Sequence, residues 1–192
     1  MRKPTPKPRL VFTIGHSTRA RKDFLEILRA HRVRELVDVR TIPRSRHNPQ
    51  FNSAELARAL RRADIRYEHM AELGGLRRAR PDSVNMAWRN VSFRGFADYM
   101  QTPDFRSAID SLARLARQRR VAVMCAEAVP WRCHRSLIAD ALVVRDFAVE
   151  DIESVTRTRP HRQTPWARVR GLRIDYPAPL QTPSPEGGRQ RS

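Results

Sequence analysis

Four short runs, LVFTI (10–14), ELVDV (35–39), IRYEHM (65–70) and VAVM (121–124), constrain this chain more than any other feature. Three of them are nearly continuous apolar stretches rich in β-branched residues, the composition of a strand buried on both faces of a parallel sheet. IRYEHM is more polar and reads as the third strand in chain order. Between the runs the apolar spacing changes to that of helices. Phe24, Leu25, Ile27 and Leu28 share one face behind Thr18, and Leu56, Ala57 and Leu60 share one behind Ser53, with Thr18 and Ser53 placed as caps. Residues 93–100 and 103–117 read as helices, the latter with Ile109, Leu112, Leu115 and Ala116 inward. Residues 131–145 read as a further helix and 148–155 as an edge strand. This alternation predicts an α/β fold: a single domain with a mainly parallel sheet, helices on both faces and an active-site edge at the carboxyl ends of the strands. A chain of 192 residues has room for one well-buried core. The expected organisation is a flexible lead-in over 1–8, the α/β domain over 9–156, a basic extension packing partly on it over 157–180, and a disordered tail over 181–192. Residues 74–92 have no periodicity and read as a long loop of the kind that often binds ligands.

The formal charge of +18 invites a nucleic-acid partner, since basic groups release counterions from a phosphate backbone. Its distribution weakens that inference. Residues 1–9 carry four basic groups and no acidic ones, and residues 156–192 carry eight arginines against Asp175 and Glu186, so more than half of the excess lies near the ends. The run Leu10–Ile14 is too short for a signal segment, and no apolar stretch approaches the ~20 residues of a membrane span. With two cysteines in the chain, a soluble cytoplasmic protein with reduced thiols and no membrane partner is expected. No feature sets an oligomeric state.

Polar residues just after each predicted strand would share one edge of the sheet. Strand one delivers His16 and Ser17. Strand two delivers Asp38, Arg40, Arg44, Ser45 and Arg46, strand three Glu68 and His69, and strand four Cys125 and Glu127. The segments TIGHST, LVDVRTIPRSRHNPQFN, IRYEHMAELGG, FRGFADYM and CAEAVPWRCHRSLIA, followed by RPHRQTPWARV, resemble the family called domain of unknown function 488. Its Cys-x-Glu and Cys-His-Arg pattern falls on Cys125, Glu127, Cys133, His134 and Arg135, its first motif on Gly15, His16 and Ser17, and its second on Asp38, Arg40 and Pro43. The resemblance implies an α/β domain with a clustered polar site and names no reaction.

Cys125, at a strand end facing guanidiniums and the helix expected near residue 131, would have its pKa lowered and could act as a nucleophile; the bland reading is a small buried hydrophobe. The phosphatase spacing Cys-x5-Arg is not met, because Trp131 occupies the arginine position and Pro130 has no N–H for an anion cradle. Arg135 at a helix start could hold an anion with Arg40 and Arg44, or could brace the turn by pairing with Glu127 or Asp38. His16 and His134 are of the right type for general bases, and equally for buried, hydrogen-bonded histidines. Cys125, Cys133, His134 and His16 are zinc-type ligands. Cys133 and His134, however, would point about 100° apart on a helix, so no metal and no cofactor are expected. Trp88, Phe93, Phe96 and Tyr99, beside Arg89 and Arg94, could stack bases, although anchoring the loop on the core is the commoner role. The function expected is therefore an enzyme acting on an anionic small molecule or nucleic acid. Cys125, Glu127, His16 and His134 would be its chemical groups, and Arg40, Arg44, Arg135, Ser17 and Cys133 its binding groups. The competing reading is a non-catalytic nucleic-acid-binding module with a structural cysteine turn.

Overall fold

A computed structural model describes residues 8–178. Strands β1 (Arg9–Gly15), β2 (Glu35–Asp38) and β4 (Val121–Cys125) form the centre of a six-stranded sheet, with β3 (Arg66–His69) and β6 (Thr158–Pro160) at its edges. With β5 (Phe147–Ile152) between β1 and β6, the order is β3-β2-β4-β1-β5-β6, parallel throughout except for the antiparallel pair β5–β6.

Side chains alternate across the strands and divide the core in two. Phe12, Ile14, Leu36, Ala122 and Met124 pack with residues of α1 (Arg21–Ala30) and α2 (Ser53–Arg62). Val11, Val37, Val121, Val123 and Cys125 pack with residues of α3 (Val91–Tyr99), α4 (Pro103–Gln118) and α5 (Arg135–Val143). Helices thus cover both faces of a single α/β domain. The chain leaves β1 toward β2 on one side and leaves β4 toward β5 on the other. The carboxyl ends of the neighbouring strands β1 and β4 therefore flank a topological switch, where parallel sheets open a crevice.

Three local expectations are corrected. The strand expected at the edge over 148–155 is internal: β5 pairs with β1 and β6 covers its outer side. Pro160 is tolerated there because an edge strand can dispense with one donor. Thr18 does not cap α1. The preceding turn is extended by Ser17 at φ 47°, and the N-cap is Ala20, which makes no side-chain bond. The single helix expected over 131–145 is a 3-10 turn, Pro130–Arg132, followed by α5 from Arg135. The Cys133 N–H closes that turn on the Pro130 carbonyl, and Cys133 itself is extended at φ −127°, ψ 142°.

Two buried carboxylates hold the irregular segments. Asp98 accepts from the Arg80 N–H at 2.8 Å, the Ser83 hydroxyl at 2.6 Å and the Asn85 amide at 2.7 Å, fastening the long loop to α3. Asp140 accepts from His161 at 2.9 Å, the Tyr176 hydroxyl at 2.9 Å and the Thr164 N–H at 3.0 Å, fastening the chain after β6 to α5. That segment includes a small hairpin of β7 (Arg168–Arg170) and β8 (Arg173–Asp175). Residues 1–7 and 179–192, where the expected tail and most of the lead-in fall, lie outside the described residues. No helix among the described residues is long and apolar enough to cross a membrane.

Candidate functional site

The crevice at the switch is a cavity of about 640 Å³, lined by His16, Ser17, Arg40, Arg44, Cys125, Glu127, Cys133 and His134 among others. Its shape depends on a close approach of backbones. Gly15 pairs with Cys125 in the sheet, the His16 and Ser17 N–H groups donate to the Cys125 and Ala126 carbonyls at 3.0 and 2.9 Å, and any Cβ on Gly15 would collide with the Glu127 carbonyl. The turn after β4 can lie across the end of β1 only because residue 15 is glycine.

Cys125, 9% exposed, lies at the base of this cavity, and Cys133 is 4% exposed. The sulfurs of the two cysteines and a ring nitrogen of His134 all lie within 4.8 Å of one another. Interaction with the neighbouring Cys133 thiol, assisted by His134 and by the positive charge of Arg135, pulls the Cys125 pKa below that of an ordinary thiol, against the opposing effect of burial. The Cys133 pKa is pushed well up by its interaction with Cys125 and by burial.

Arg135 is 1% exposed and is not part of the cavity wall. Its Nη2 donates to the Glu127 carbonyl at 2.9 Å, while Nε and Nη1 have no hydrogen-bond partner among the described residues. Neither sequence-based reading of this residue holds. It does not reach into the cavity, and it pairs with neither Glu127's carboxylate nor Asp38's. A buried cation without a counter-charge costs several kcal/mol, and its positive charge favours the ionised form of Cys125.

His134 donates from Nε2 to the Val39 carbonyl at 3.2 Å and turns Nδ1 toward the Cys133 sulfur at 3.7 Å, its ring packed against Gly75. His16 has neither nitrogen free. Nδ1 donates to the Ser17 carbonyl at 2.8 Å, and Nε2 accepts from Arg40 at 3.2 Å. Burial, reinforced by the Arg40 charge and opposed by the Ser17 bond, lowers the His16 pKa and keeps the ring neutral. With its lone pair occupied, His16 is built to position Arg40 rather than to take a proton. Arg40 is also clamped by Asp38, from Nε at 2.9 Å and Nη2 at 2.6 Å, and donates to the Phe51 carbonyl at 2.8 Å. By its inventory of five donors, one Nη1 hydrogen remains available to the cavity. Glu127 is exposed at the rim, its carboxylate accepting from the Val129 N–H at 3.0 Å and touching neither histidine. Arg44 is exposed on the opposite rim, and its side chain makes no hydrogen bond among the described residues.

Arg132 was not singled out as a binding group, yet it lines the cavity with an exposed guanidinium. Its neighbour Pro130, which opens the 3-10 turn, was the available signal. The expectation that Cys133 and His134 diverge on a helix fails because both precede α5; Cys125, Cys133 and His134 have the atoms and spacing to hold a thiophilic divalent ion, with the Val39 carbonyl fixing the imidazole tautomer. His16 lies outside that group. Of the loop aromatics, Phe93 and Phe96 are buried in the core, and Tyr99 carries the Arg77 guanidinium at 3.7 Å from its ring centre. These are anchoring roles.

Fold and site together define an α/β protein with a dithiol cavity at the carboxyl ends of its central parallel strands. The profile of the family described as domain of unknown function DUF488 matches residues 20–142, and the chain belongs to that family. The match includes the Cys125 to Arg135 turn and excludes TIGHST and RPHRQTPWARV. No curated protein and no solved structure matches the chain.

Proposed function

We propose that the protein is an enzyme in which the Cys125 thiolate attacks an anionic, phosphate-bearing substrate of the nucleotide or nucleic-acid class. One observation carries this reading: a fully buried guanidinium, Arg135, has no carboxylate partner among the described residues and acts on two thiols that line an open cavity. A merely structural cysteine would be better buried as a neutral thiol in an apolar setting. Arg44 and Arg132 at the rim, and the remaining Arg40 hydrogen, would meet the substrate's negative charge. In the chemical step the Cys125 sulfur forms a bond to the electrophilic centre as the bond to the leaving group breaks. The leaving group departs with the electron pair and takes the proton held by Cys133; water then attacks the adduct, its hydroxyl passing to the product and its proton to Cys133 as the bond to the Cys125 sulfur breaks and the thiolate is regenerated.

The test compares iodoacetate with iodoacetamide as alkylating agents at about pH 6, where an ordinary thiol is almost wholly protonated. Cys125 should react readily and should favour the anionic reagent, and Arg44→Ala with Arg132→Ala should abolish the preference while sparing the iodoacetamide rate. Running the assay before and after chelation separates a free thiolate from a metal-ligated one. Slow alkylation after chelation, with no preference for iodoacetate, would overturn the proposal.

A further inference from the structure

All three tryptophans of the chain, Trp88, Trp131 and Trp166, line a second cavity of about 630 Å³ together with Arg159 and Arg162. Trp131 is 61% exposed and Trp166 45% exposed, while Trp88 meets Trp166 edge to face at 5.5 Å. The Arg159 guanidinium sits 4.5 Å from the centre of the Trp131 ring. Large indoles presented to water beside arginines are not explained by the core. The acid in this cavity, Asp151, is 5% exposed and accepts from the Thr13 hydroxyl at 2.5 Å. Arg159, 3.9 Å from Asp151 and 3.7 Å from Glu153, is partly neutralised, while Arg162 is exposed and makes no ion pair among the described residues.

The two cavities share a wall. In the turn after β4, Pro130 and Trp131 face the second cavity, while Arg132, Cys133 and His134 face the first. On the other side, Trp88 packs at 4.8 Å on Phe93, which lines the Cys125 cavity. A ligand lying across Trp131 and Arg132 would span both.

The geometry points to the tryptophan groove as a base-stacking subsite for single-stranded nucleic acid, with bases on Trp131 and Trp166 and phosphates on Arg159, Arg162 and Arg132. Aromatic faces interleaved with guanidiniums bind successive bases and the intervening phosphates with little sequence preference. An aromatic cage for a quaternary ammonium would be frustrated by Arg159 and Arg162, and a proline-rich peptide would leave Arg162 without counter-charge. The inference rests on the Cys125 reading for what the strand is delivered to, and not for the binding itself.

The test is fluorescence anisotropy of a labelled oligo-dT with the full chain at fixed salt. Since stacking contributes about 1–3 kcal/mol per base, Trp131→Ala should weaken binding by roughly 5- to 150-fold, with Trp131→Phe largely restoring it. Trp131 is exposed and its loss opens no core cavity, and circular dichroism checks that the variant folds. Arg159→Ala with Arg162→Ala should flatten the salt dependence, whereas Trp131→Ala should leave that slope unchanged. The binding readout uses no property of Cys125, so a failed alkylation test leaves the groove standing. Absence of oligonucleotide binding overturns the inference. So does equal binding of duplex, a proline-rich peptide that competes for Trp131, or a Trp131→Ala protein that binds normally while Arg189→Ala with Arg191→Ala does not.

Discussion

Replacing Cys133 with alanine removes the neighbour that lowers the Cys125 pKa most. A hydrogen bond to a charged group is worth about 1.5–3 kcal/mol, and one pH unit corresponds to about 1.36 kcal/mol, so the Cys125 titration should move up by roughly one to two units. Because the Cys125 pKa is depressed, the reactive thiolate is present above it and disappears as pH falls through it; the substitution brings that fall to a higher pH. His134 and Arg135 remain, so the variant should still titrate below an ordinary thiol. The assay is the iodoacetamide rate constant as a function of pH, with the label located by mass spectrometry. The variant simplifies it, because the chain's two cysteines are Cys125 and Cys133. The parent rate should be nearly flat above about pH 6, where an unperturbed thiol of pKa about 8.5 would react roughly 300-fold below its plateau. Cys133→Ser, which restores a hydroxyl donor, should recover part of the shift. A Cys133→Ala profile that superimposes on the parent would refute the dependence of Cys125 on Cys133.

Other consequences are independent of the thiols. Asp38→Asn leaves the buried Arg40 charge uncompensated and should cost about 3–5 kcal/mol in denaturant unfolding, with Arg40→Met in the same chain recovering much of it. His16 is held neutral by burial. The unfolded chain therefore binds a proton that the folded one refuses, and stability should fall as pH drops below about 6.5, with a contribution of at most about 1.4 kcal/mol per unit. His16→Asn should remove that component; parallel stability curves for parent and variant would argue against a buried neutral ring. Gly15→Ala drives a methyl into the Glu127 carbonyl and should cost about 1–3 kcal/mol while slowing Cys125 alkylation, because the turn must move.

The central strands were legible because LVFTI, ELVDV and VAVM have few polar residues, and burial on both faces leaves that mark. Their tips then placed His16, Arg40 and Cys125 around one cavity through the parallel crossovers alone. The failures share a cause: local propensity cannot report partners that are distant in sequence. The strand β6 is three residues, Thr158–Pro160, with a proline, and exists because β5 offers it an edge. Cys133 and His134 read as helical because RCHRSLIADAL continues into α5, yet the closing bond from Cys133 to Pro130 takes the chain out of the helix there. Arg135 looked like a substrate ligand because it follows the cysteine turn. Its direction is set by the Glu127 carbonyl, a backbone group that no side-chain pattern reveals. The clustering of Trp88, Trp131 and Trp166 was likewise invisible, since it requires the chain beyond β6 to be fastened to α5 through Asp140.

The most direct measurement is the ultraviolet thiolate absorbance of the reduced, metal-free protein minus that of Cys125→Ala, followed from about pH 5 to about pH 10. Close to one full thiolate should already be present at the acid end, with no further step assignable to Cys125. A difference signal that is absent at low pH and rises only near pH 8.5, as for an ordinary thiol, would contradict the claim that Cys125 is the ionised counterpart of the buried Arg135.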